Sequence, residues 1–153
     1  MTKATSLAVC LVLAAVSGCS LFMLPPMEEQ KAMLAANQVK LHKLSSQVFL
    51  DVWGKPGYAY RTRTQFMATS DGNFVPRFRL PIGEPPKEWN SNVVSDDAVF
   101  FAYPERGELL GFIDSELVYR EKLSAEQLHA MGEVWKKEDR YRTTLEGPAL
   151  PAY

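Results

Sequence analysis

Apolar and polar positions follow two different periods along this chain, and the changes of period mark its elements. Residues 7–16 form an unbroken apolar run, far short of the ~20 residues a membrane-spanning helix needs. The next pattern is helical. Pro26 suits the first turn of a helix beginning at Met27, and Glu28 and Glu29 favour its positive end. Met27, Leu34, Leu41 and Val48 then recur every seven residues, with Leu44 beside them. This predicts a long surface helix resting a narrow apolar stripe on a core. Gln30 and Asn37 fall where a coiled coil wants its second apolar position. Ser45 and Ser46 either interrupt that helix or cap a short second one over 46–53. Gly54, with Pro56 just beyond, stops it.

The period then changes to two. Residues 58–67 alternate, with Tyr58, Tyr60, Thr62, Thr64 and Phe66 on one side and Arg61 and Arg63 on the other. Residues 74–80 alternate again, with Phe74, Phe78 and Leu80 against Val75, Arg77 and Arg79. The turn residues Ser70-Asp71-Gly72-Asn73 between them predict a hairpin, and Pro76 assigns its second strand to an edge. Residues 81–96, with Pro81, Gly83, Pro85 and Pro86, read as a long loop holding Trp89. A meander of strands follows over 98–103, 108–113 and 116–122. Ser124 and Gln127 then make a capping box, with Leu123 and Leu128 at the staple positions. Leu128, Met131 and Trp135 form one face of the helix that follows. Residues 143–153 read as an extended tail. The pattern predicts an α+β domain over 27–142: an N-terminal helix plus a short helix, an antiparallel sheet of four to five strands, and a C-terminal helix.

The chemistry of the N-terminus changes the picture most. Lys3 lies in a short polar start, the apolar run follows, and Val16-Ser17-Gly18-Cys19 closes the segment. This is the layout of a secretory signal peptide, and it resembles the lipobox of bacterial lipoproteins. The alternative is an ordinary signal peptide with a chance cysteine. The resemblance implies cleavage between Gly18 and Cys19, a diacylglycerol thioether on the Cys19 sulfur, and acylation of the new amine. Residues 1–18 are then a signal peptide and 19–26 a lipid-anchored tether. Several acyl chains hold a protein stably, at about 0.8 kcal/mol per buried methylene. The tether residues Leu21 to Leu24 either dip into the headgroup boundary or pack on the domain. The resemblance also implies that Ser20, rather than Asp, fits delivery to the inner leaflet of the outer membrane, facing the periplasm.

Removal of 18 residues from 153 leaves 135, one domain by size. Lys3 is the only charge lost, so 17 Lys+Arg become 16 against 18 Asp+Glu. That balance offers no electrostatic footprint for nucleic acid. Cys10 and Cys19 are the only cysteines. The remaining body is therefore expected to have no disulfide and no thiol nucleophile. His42 and His129 lie far apart, each on an expected helix face, and are read as surface or packing residues rather than metal ligands. Asp96 and Asp97 are adjacent, so in an extended segment they point to opposite sides. With no Gly-rich phosphate loop and no nucleophile elbow, no enzyme and no cofactor are expected. One constellation remains. If the first two strands pair, Arg61, Arg63, Arg77 and Arg79 share a face suited to an anionic envelope component. The alternative is a solvated face neutralised by the chain's own carboxylates. Trp53 and Trp135 are read as core, and Trp89 either as a lid over the sheet or as an exposed contact.

The order of helix, short helix, Gly-x-Pro and antiparallel meander resembles the SmpA/OmlA/BamE-like small outer-membrane lipoproteins. The matching residues are Ser45 or Ser46, Val48, Val52, Gly54 and Pro56, then Tyr58-Ala59-Tyr60, Phe112-Ile113-Asp114 and Leu117-Val118. The stretch 81–97 and the helix after Ser124 depart from that pattern. The resemblance implies a non-catalytic module that binds other envelope proteins. A carrier of a small lipophilic or anionic ligand, held between sheet and helix, is the second expectation.

Overall fold

The computed structural model describes residues 23–80 and 89–138, the side chains of 89–95 excepted. Three helices, α1 (Met27–Ala35), α2 (Ser46–Trp53) and α3 (Ala125–Lys137), dress one sheet. Its strands are β1 (Tyr58–Thr69), β2 (Phe74–Pro76), β3 (Trp89–Tyr103), β4 (Glu108–Ile113) and β5 (Glu116–Lys122). All neighbours are antiparallel, in the order β2-β1-β3-β4-β5. This is the expected α+β architecture, curled nearly into a barrel. The signal segment, Cys19, most of the tether and the tail over 143–153 lie outside the described residues.

Local chemistry explains most boundaries. The Ser45 hydroxyl accepts the Val48 N–H and starts α2, which stops at Gly54 with φ 81°. At α3 both bonds of the capping box form: Gln127 N–H to the Ser124 hydroxyl at 3.2 Å, and Ser124 N–H to the Gln127 side chain at 3.0 Å. The β4–β5 turn places both Asp114 and Ser115 at positive φ, the geometry a two-residue hairpin loop demands. Val118 is an extra residue in β5, because Gly111 faces Tyr119 while Phe112 faces Leu117.

The long first helix is corrected. It ends at Ala35, and Asn37 and His42 both take positive φ. The seven-residue spacing arises because Leu34 and Val48, on different helices, bury in the same cluster. Gln30 explains the fold-back. Its buried amide donates to the Pro25 carbonyl at 2.7 Å and accepts the Ser45 N–H at 2.7 Å. One polar side chain thus ties the chain ahead of α1 to the start of α2.

The sheet is covered on both faces. Leu34, Leu44, Val48 and Phe49 pack on Val99, Phe101, Leu110, Phe112 and Leu117. On the other face Leu128 and Trp135 pack with Tyr60, Phe66, Phe100, Leu109 and Tyr119. Gly132 admits the Tyr58 ring where a Cβ would collide with it.

The outer edge of β5 finds partners outside the strands. His42 N–H donates to the Leu117 carbonyl and Leu117 N–H to the Leu44 carbonyl, both at 2.8 Å. Farther along, the Asn73 side chain replaces a strand: its amide donates to the Arg120 carbonyl and accepts the Arg120 N–H, each at 3.1 Å. Replacing Asn73 by Ala leaves both Arg120 backbone groups unpaired and is expected to cost about 2 kcal/mol. A urea melt checks this, with a lowered midpoint and unchanged slope.

Candidate functional site

The end of β2 decides where the arginines go. The strand stops at Pro76 after three residues, at an edge position where the missing N–H faces away from β1. Residues Arg77–Arg79 then form a 3-10 turn. The expected face of four arginines is therefore corrected. Arg61 and Arg63 lie opposite Val99 and Asp97, on the α1/α2 side of the sheet. Exposed Arg63 stands 3.7 Å from Asp97. Arg79 reaches the other side and forks onto Glu121 with two bonds of 2.7 Å. Arg77 is exposed in the turn. The loop expected over 81–96 is corrected where it holds Trp89, which is the first residue of β3 and pairs with Thr69, while its side chain, read as lid or contact, lies outside what is described.

The same turn rotates Phe78 onto the α3 side. Its ring meets Phe100 edge-on at 5.0 Å yet remains 41% exposed. Opposite it, Val134 on α3 is 55% exposed. Between them lies an open groove of about 420 Å³, lined by Tyr60, Phe78, Met131, Val134, Trp135 and Glu138. Its floor is rigid, for Tyr60 and Trp135 stack at 5.1 Å with planes 10° apart. The Tyr60 hydroxyl donates to the Glu138 carboxylate at 2.7 Å, placing one anion on an otherwise apolar lining.

Beside this groove the Arg79–Glu121 pair is braced by Tyr119, whose hydroxyl also donates to Glu121. Burial, reinforced by that carboxylate, pushes the Tyr119 phenol well above its usual range. Burial alone raises Glu121, but hydrogen bonds from Arg79 and Tyr119 outweigh it and hold the carboxyl below the glutamate range. On the opposite face Arg120 forks onto buried Glu108 at 2.6 and 3.0 Å.

Other polar groups make bonds within the chain. The two nitrogens of His42 meet Glu116 at 2.6 Å and the Gly72 carbonyl at 2.8 Å. That ring joins the α1–α2 connection to both hairpin turns, and it sits in the connection rather than on a helix. His129 meets the Tyr58 hydroxyl at 2.9 Å on the exposed flank of α3, where Tyr58 also donates to Glu133. Asp96 spends its carboxylate on the Asp97 N–H at 2.8 Å. Among the described residues no three His, Cys, Asp or Glu side chains cluster to hold a metal ion, and no helix is long and apolar enough to cross a membrane.

A cleft between sheet and helix was among the expectations, but its rim was not, because Phe78 reads as one more strand residue. Val134 carried a usable signal: with Leu128, Met131 and Trp135 it widens the apolar stripe of α3 beyond a single packing seam. No protein-family model, no curated protein and no solved structure matches the chain.

The ion pair makes a pH prediction. A carboxyl depressed in the folded state stabilises fully above its unfolded value of about 4.3 and loses that contribution as pH falls through the folded value. Glu121→Gln is expected to flatten the acid limb of stability below about pH 4, as read by thermal melts at stepped pH.

Proposed function

We propose that this chain is a lipid-anchored lipoprotein of the bacterial envelope. Its domain is a non-catalytic binding module, held at the inner leaflet of the outer membrane. The observation that carries the binding role is the groove between the 3-10 turn and α3. Phe78 and Val134 leave apolar surface in water across an ordered aromatic floor, and a rigid apolar recess spends little entropy on receiving a ligand. The location rests on Val16-Ser17-Gly18-Cys19, and the SmpA/OmlA/BamE-like pattern of the following residues supports the same compartment. The occupant is an apolar side-chain cluster of another envelope protein, set against the groove with its cationic end towards Glu138.

Anchor and groove are tested separately. Cys19→Ser is expected to leave the chain uncleaved and without acyl mass in membrane fractions analysed by mass spectrometry. An unchanged N-terminus in that variant removes the anchor. For the groove, a photo-crosslinking residue at Val134 is expected to capture envelope proteins in intact cells. The same residue at Ala125, on the far side of α3, is expected to capture none. Phe78→Ala is expected to weaken capture about tenfold, the loss of one apolar contact. Equal capture at both positions sinks the assignment.

The groove volume supports a second reading. It falls in the range of small-ligand sites, so a single acyl chain is the alternative occupant. Saturable binding of a fluorescent long-chain fatty acid, abolished by Val134→Glu, selects that reading over protein binding.

A further inference from the structure

Glu138 holds two positions at once. It lines the groove, and it is the last residue the structure describes. The segment 139–153 therefore leaves from the rim of the groove. Its sequence holds Pro148-Ala149-Leu150-Pro151, with Arg140 and Arg142 nearer to Glu138. A Pro-x-x-Pro sequence favours the polyproline II helix, which makes no internal hydrogen bonds and is ordered before it docks. Grooves lined by aromatic rings receive such segments.

This groove fits one in chemistry, length and charge. Its floor is the Tyr60–Trp135 stack and its rim is Phe78, flat surfaces on which proline and leucine side chains pack. Its α3 lining runs from Ala130 to Glu138, about 12 Å of helix. Four residues of polyproline II cover about 9 Å. Glu138 supplies the acid, with its carboxylate held by the Tyr60 hydroxyl at 2.7 Å. Arg140 and Arg142 supply the cations. Pro148 follows Glu138 by 148 less 138, or 10, positions. A flexible chain of that length has a root-mean-square reach of about 18 Å. The effective concentration of its end is then of millimolar order, so even a weak contact is filled.

We propose, resting on the reading of this groove as a binding site, that residues 148–151 of the same chain occupy it and that a partner enters by displacing them. The segment carries the chemistry inferred for the partner, apolar side chains with a cation beside them. The two therefore compete for Phe78, Val134 and Glu138.

The test places a photo-crosslinking residue at Val134 of the purified full chain in detergent. The expected product has the mass of one chain, with its link mapped by mass spectrometry to residues 145–153. Leu150→Asp and the double variant Pro148→Ala/Pro151→Ala are each expected to lower that yield about fivefold or more, with an unchanged far-UV circular dichroism spectrum. In intact cells both variants are expected to raise the capture of envelope proteins at Val134. A wild-type chain with no link to 145–153 overturns the proposal, and so does a yield that both variants leave unchanged. A link found only at doubled mass gives the groove to a second copy and overturns it too. Cellular capture unchanged by both variants overturns the displacement. Equal capture from Val134 and Ala125 instead removes the groove as a binding site, whatever the purified chain shows.

Discussion

The outer strand of a sheet must satisfy its backbone without a neighbouring strand, and at Arg120 of β5 one asparagine side chain does so. The Asn73 amide supplies to Arg120 the donor and acceptor that a sixth strand would have supplied. A flat sheet cannot bring the β1–β2 turn beside β5, so this pair of bonds requires the curl. The curl sets the rest. It brings Arg79, one 3-10 turn beyond β2, to Glu121, and it brings the His42 ring between Glu116 and Gly72. It also leaves Phe78 leaning over Phe100 at the rim of the groove.

The sheet's faces carry different chemistry. On the α1/α2 face an aliphatic and aromatic cluster gives way to polar residues toward Arg63 and Asp97. Buried Glu108 is tolerated there because Arg120 engages both of its oxygens and Lys122 stands 3.6 Å away. On the α3 face aromatic rings dominate, and close approach depends on missing side chains. Gly111 leaves room for the Phe100 ring, which a Cβ would meet at 2.8 Å. Gly132 does the same for Tyr58 on the helix side. Substitution of either is a change of packing distance rather than of backbone freedom.

Much of this was legible in the residue pattern, because it was set locally. The caps at Ser45 and Ser124, the stop at Gly54, the hairpin after Thr69 and the final meander all follow from side chains within a few positions of the bond they make. What was not legible depends on partners distant in sequence. The Gln30 amide ends up between Pro25 and Ser45, so the chain turns back where an apolar repeat implied a continuous helix. Pro76 was correctly read as an edge residue, but the 3-10 turn over the next three residues was not foreseen, and the arginines parted company as a result. The strand from Trp89 begins inside a stretch whose prolines and glycine read as loop, because its pairing with β1 lies twenty residues or more away in sequence.

Gln30 has a mechanical consequence. Its amide locks the carbonyl of Pro25 to the backbone of Ser45, and Ser45 bridges to Glu116 at the start of β5. The chain ahead of α1 is thereby tied to the α1/α2 layer by one side chain, while the aromatic groove lies across the sheet from that layer.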